Sequence, residues 1–87
     1  MYLSAESARH LKELGYPQPE PKAGQVWYSL LDKPYNIFDF YRGLLCAQNL
    51  ITGFVIRFEG IVSPGMCYAP TPEEAITFLK SIEYGKL

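Results

Sequence analysis

The spacing of apolar residues along the chain changes period several times, and each change marks an element. Near the start, Ala8, Leu11 and Leu14 recur at helical intervals, with Leu3 just ahead of them, while Arg9, Lys12 and Glu13 fall mostly elsewhere on the helical wheel. Ser4 can accept from the first turn, Glu6 suits its dipole, and Gly15 can supply a left-handed C′ residue with Tyr16 packing back. A helix from Ala5 to Leu14 is therefore predicted. The next stretch, GYPQPEPKAG, places prolines at 17, 19 and 21, which forces an extended, stiff connector. Its prolines are two apart, which argues against a PxxP ligand.

From Gln25 the residues favour strand. Gln25–Leu31 is rich in β-branched and aromatic side chains and ends at Asp32-Lys33-Pro34, a turn leading to a second strand from Tyr35 to Phe38. The segment Asp39–Gly53 returns to helical intervals: Phe40, Leu44, Ala47 and Ile51 are spaced by four, three and four, with Asp39 as a cap and Gly53 as a stop. This spacing favours a helix over a strand, against a cost of up to about 1 kcal/mol for Gly43. Phe54–Glu59 alternates apolar and polar positions as a half-buried strand, Gly60 is a turn or bulge candidate, and Ile61–Ala69 reads as a return strand broken at Ser63-Pro64-Gly65.

The last element begins with the most explicit local signal, YAPTPEEAITFLK. Thr71 and Glu74 have capping-box spacing and Pro72 fits the first helical position, so a helix from Pro72 to about Glu83 is expected, with Ala75, Ile76, Leu79 and Ile82 along one side. Together the elements predict one α+β domain over residues 1–87: a small single layer of antiparallel or mixed β-hairpins covered by two or three helices. Eighty-seven residues, 48% hydrophobic, provide one core and too little material for two.

Charge narrows the function. Eight basic and nine acidic residues give a net charge of -1, split evenly enough that neither half is a charged tail. Nucleic-acid binding is therefore disfavoured, and its remaining footing would be Lys33, Arg42 and Arg57 beside strand aromatics. There is no apolar run of about 18 residues, and the polar opening lacks the apolar stretch of a signal peptide, so a soluble cytoplasmic protein without membrane association is expected. Cys46 and Cys67 are not a CxxC pair and read as buried thiols.

Candidate chemistry is sparse. With one histidine, His10, and two distant cysteines, no metal-ligand spacing exists, and no metal or other cofactor is expected. Glu73 and Glu74 would project about 100° apart on a helix and are accounted for by capping, and the dispersed glycines form no phosphate loop. No catalytic residue is assigned, and a non-enzymatic protein is expected. Aromatics are the surplus: seven Tyr, five Phe and one Trp, of which Trp27, Tyr28 and Tyr35 suggest a surface for a protein partner or for self-association as a homodimer.

The runs MYLSAESARHLKELGYPQPEP, GQVWY and YAPTPEEAITFL resemble a group of short proteins of unknown function found in phages and mobile elements of gut Bacteroidetes. The resemblance implies a small α+β intracellular accessory protein and transfers no catalytic or binding residue. It does not extend to FYRGLLCAQNLITG.

Overall fold

The computed structural model describes residues 2–59 and 65–85. Among these residues two helices, α1 (Ala5–Glu13) and α2 (Pro72–Gly85), accompany five strands: β1 (Val26–Tyr28), β2 (Pro34–Tyr41), β3 (Leu44–Asn49), β4 (Val55–Glu59) and β5 (Cys67–Ala69). The strands form one sheet in the order β4-β3-β2-β1-β5, antiparallel at every pairing. The expected α+β class is thus observed, with two helices. The expectations for Gly60 and for residues 61–64 lie outside the described residues.

Each helix starts as its sequence predicts. Ser4 Oγ accepts from the Ser7 N–H at 3.2 Å. At the other end, the N–H of Gly15 (φ 99°) donates to the Lys12 carbonyl and that of Tyr16 to the Leu11 carbonyl, the paired bonds of a Schellman motif. The second helix carries the full capping box: Glu74 N–H donates to Thr71 Oγ1 at 3.2 Å, and Thr71 N–H donates to Glu74 Oε1 at 2.9 Å. Thr71→Ala is expected to cost about 1 kcal/mol in urea unfolding; an unchanged midpoint would refute the cap. The inward side of this helix differs from expectation, since Ile76 and Leu79 are exposed and Phe78 instead meets Tyr16 edge-on at 5.0 Å.

The helix predicted between Asp39 and Gly53 is a β-hairpin. Strand β2 continues through Tyr41, Arg42 and Gly43 form a two-residue turn, and β3 pairs back from Leu44. Arg42 (φ 52°) and Gly43 (φ 78°) both have the positive φ that a type I′ hairpin turn demands. Arginine is strained there. Arg42→Asn, which tolerates this conformation better, should raise stability by a few tenths of a kcal/mol to about 1; a lowered urea midpoint would contradict the turn assignment. A second loop follows β3, closed by Asn49, whose side-chain Oδ1 accepts from the N–H groups of Ile51 and Thr52. The nearby Gly53 (φ 80°) donates to the Asn49 carbonyl.

The first strand also ends earlier than predicted, at Tyr28. Ser29 Oγ accepts from Leu31 N–H and Lys33 N–H, and Asp32 N–H donates to the Ser29 carbonyl, so residues 29–33 coil into a turn.

Strand pleating divides the sheet into two faces. On one, Ala8 of α1 packs on Tyr28, Cys67 and Ala69; this is the helix face. On the other, Trp27, Ile37, Leu45, Ala47 and Tyr68 form the larger core cluster, with Tyr16, Tyr35, Phe58 and Met66 packed around it. Between Ile37 and Asp39 the register shifts, leaving Phe38 without an opposite residue in β3. This β-bulge brings Phe40, opposite Leu45, to the same face as Ile37.

Candidate functional site

The second face carries a groove of about 520 Å3. Its floor comes from three strands: Trp27 of β1, Tyr35 and Ile37 of β2, and Ile56 and Phe58 of β4. Ala47 of β3 sits between Ile37 and Ile56 in the same cross-strand row, where its single methyl leaves room that a larger side chain would fill. The walls are Leu30 and Leu31 in the turn after β1, with Met66 before β5. Polar groups at its rim come from Ser29 and Lys33. The floor is buried at Trp27 and Ile37, 2% and 1% exposed, and opens at Ile56, whereas Leu31 in the wall is 80% exposed.

The groove keeps its shape through polar anchors behind it. Trp27 Nε1–H donates to Gln25 Oε1 at 2.8 Å, and the same oxygen accepts from Lys22 N–H, tying the indole to the proline-containing connector. From α1, the Arg9 guanidinium donates to the carboxylate of Asp32, to the Ser29 carbonyl at 2.9 Å and to the Gly65 carbonyl at 3.0 Å. Lys12 adds a bond to the Met66 carbonyl at 2.8 Å. Thus one helix pins both walls.

Trp27, Tyr28 and Tyr35 do not form one surface. Trp27 and Tyr28 are consecutive in β1 and so point to opposite faces. Both are buried: Trp27 lies 5.5 Å from Tyr68 between ring centroids, and Tyr28 packs under α1 with its hydroxyl donating to the Leu3 carbonyl at 2.6 Å. Only Tyr35, half-buried, lines the groove beside Trp27. Exposed apolar side chains lie elsewhere, in Leu30 and Leu31 of the turn after β1, in Phe40 and Tyr41 at the hairpin end of β2, and in Phe54 and Val55 at the opposite end of the strands, where β4 begins. The sequence pattern puts Leu30 and Leu31 at a strand end, Phe40 and Tyr41 on a helix, and Phe54 and Val55 on a strand, and so does not mark them as exposed.

The basic residues are divided too. Arg42 and Arg57 share a shallow depression on the helix face with Tyr41, and the Arg42 guanidinium lies 5.1 Å from the Tyr41 ring centroid. Asp39 lines the same depression, and Glu59 projects to the same face as Arg57 two residues on, so positive potential is offset there. Lys33 sits apart, at the rim of the groove.

Reactive groups are held in structural roles. Cys46 and Cys67 are buried free thiols on β3 and β5, three strand spacings or about 14 Å apart, too far for a disulfide. Burial pushes the Cys67 thiol up, against the lowering effects of Arg9 and Lys12. The Thr71 backbone N–H holds the Glu74 carboxyl below its ordinary range, helped by hydrogen bonds from the Tyr68, Thr71 and Tyr16 side chains. Among the described residues, no group of three or more His, Cys, Asp or Glu is arranged to hold a metal ion, and no helix is long and apolar enough to cross a membrane.

The Tyr68 hydroxyl, donating to Glu74 Oε1 at 2.9 Å, is pushed up to about 12, first by burial and then by that hydrogen bond and the carboxylate charge. Its raised value favours the neutral phenol in the folded protein. This contribution is complete below pH 10 and is lost as pH rises from about 10 towards 12. Alkaline titration should therefore destabilise the wild type more steeply in that window than Tyr68→Phe. Parallel stability curves for the two would refute the coupling.

No family model, curated protein or solved structure matches the chain.

Proposed function

We propose that the chain is a non-enzymatic protein-interaction domain acting as an accessory protein. Its contact surface is the apolar groove together with the adjoining exposed edge of the sheet. The observation that carries this reading is the arrangement of Leu30 and Leu31 in the wall, 64% and 80% exposed, and Ile56 in the floor, 39% exposed, beside the buried Trp27 and Ile37. Exposed apolar side chains grouped around a concavity, with polar groups only at the rim, have the anatomy of a binding surface. The non-enzymatic part is supported by the commitment of Glu74 to a helix cap and of Cys67 to the core. Nucleic acid is the weaker alternative because Asp39 and Glu59 accompany Arg42 and Arg57.

The test is capture from native extract, with and without nuclease, by the wild type, by Leu31→Ser with Ile56→Ser, and by His10→Ala on the exposed side of α1. A protein held by the wild type and His10→Ala through nuclease treatment, and lost from the double variant, is the expected result. Equal retention by all three would overturn the surface assignment, and loss on nuclease treatment would transfer it to nucleic acid.

A further inference from the structure

The two edges of the sheet are unlike. At β5, the outward N–H of Tyr68 donates to Gln18 Oε1 at 2.9 Å, and α1 packs against the strand. That edge is closed by the chain itself. At β4, the ladder to β3 fixes which backbone groups remain. Asn49 N–H donates to the Phe54 carbonyl, so Phe54, and by alternation Ile56 and Phe58, direct their backbone groups to β3. Val55, Arg57 and Glu59 direct theirs outward. Among the described residues no strand pairs with this side.

An exposed strand edge of this kind is a template for another strand. We infer that the partner at this edge is a second copy of the chain, joined through antiparallel pairing of the two β4 strands about a two-fold axis at Phe58. This inference rests on the interaction reading above and specifies its partner.

Charge selects the register. The outward residues are odd-numbered, so a two-fold pairing can centre on Ile56, Arg57 or Phe58 without disturbing the ladder to β3; centring on Ile56 sets Arg57 opposite Val55, with no opposite charge to meet it. Centring on Arg57 sets two guanidinium groups opposite each other, which is unfavourable. Centring on Phe58 sets Arg57 opposite Glu59 of the second copy, twice by symmetry, with both pairs on the helix face. The same pairing satisfies the outward N–H and C=O of Arg57 and Glu59 reciprocally. Among the described residues neither Arg57 nor Glu59 has an ion-pair partner within its own chain, so both are available. On the opposite face the two Phe58 rings meet at the axis, and each lines its own groove, so the two grooves become continuous. One sheet of ten strands would result.

The test is sedimentation velocity over a concentration series for the wild type, Arg57→Glu, Glu59→Arg and the double exchange. Circular dichroism would verify that each variant folds, which is expected because both residues are exposed. The wild type should show a reversible monomer–dimer equilibrium. Each single change sets like charges opposite each other twice and should weaken the dimer at least about tenfold. The double exchange, and an equimolar mixture of the two single variants, should restore it. A wild type that stays monomeric, a dimer indifferent to either single change, or a double exchange that fails to recover would each overturn the proposal. If the wild type is monomeric yet captures a different protein that Leu31→Ser with Ile56→Ser loses, the interaction reading stands and self-pairing falls. If neither occurs, both fall.

Discussion

Replacing Trp27 with Ala is expected to cost about 3–5 kcal/mol of stability. The indole is 2% exposed, packs on Tyr68, and donates from Nε1 to Gln25 Oε1, so truncation removes packing and one of the two hydrogen bonds to that oxygen, the one from Lys22 N–H remaining. A domain of this size has about 4–13 kcal/mol in total, so a substantial unfolded fraction should appear. Trp27→Phe should lose less, since a ring still faces Tyr68. Because Trp27 is the only tryptophan, unfolding of both variants is followed by circular dichroism instead of fluorescence. A loss below about 1 kcal/mol for Trp27→Ala would place the side chain outside the core and restore it as a surface residue.

Arg9→Ala is expected to be the next most damaging change, at about 1.5–3 kcal/mol. One guanidinium bridges two carbonyls from distant segments, that of Gly65 and that of Ser29, which also accepts from Asp32 N–H, and it meets the Asp32 carboxylate as well. The ion pair itself adds little because Asp32 is half exposed; the loss comes mainly from the partly buried Gly65 carbonyl, left without a donor, and from the severed tie to the Ser29 carbonyl. Arg9→Lys should recover little, since a single ammonium cannot reproduce the planar fork that reaches all three acceptors. Thermal unfolding would show a fall of roughly 10 °C for both. Wild-type stability in the lysine variant would show that only the charge matters.

How much could be read in advance depends on whether an element announces itself locally. Capping did so: Ser4, Gly15, Thr71 and Glu74 act within a turn of their own positions, and all four behave as their spacing predicts. The hairpin from β2 to β3 did not. The bulge at Phe38 places Ile37 and Phe40 on one face at an interval of three, which interrupts the period of two that marks a strand. The turn that should have countered this is Arg42-Gly43, without the asparagine or aspartate that usually precedes glycine there.

The error propagated to the site. With residues 39–53 placed on a helix, β4 is given the return strand 61–69 as its neighbour, whereas it pairs with β3 and Cys67–Ala69 pairs with β1 at the other edge of the sheet, so the groove between β2 and β4 could not be anticipated. Trp27 and Tyr28 then stood out as a surface pair, although adjacent strand residues must diverge. Conversely, Leu30 and Leu31 read as the end of a strand, when Ser29 turns the chain and leaves both leucines exposed. Arg57 and Glu59 were visible in the sequence as alternating residues. Their complementarity across a two-fold axis needed the identity of the open edge.

Amide hydrogen exchange along β4 distinguishes a free edge from one paired with a second copy. In a monomer, Ile56 and Phe58 bond to β3 while the N–H groups of Arg57 and Glu59 face solvent, so protection alternates. At high protein concentration Arg57 and Glu59 should become protected alongside Ile56 and Phe58, and should lose that protection on dilution or in Arg57→Glu. Rapid exchange at Arg57 and Glu59 at every concentration, with Ile56 and Phe58 still protected, would contradict it.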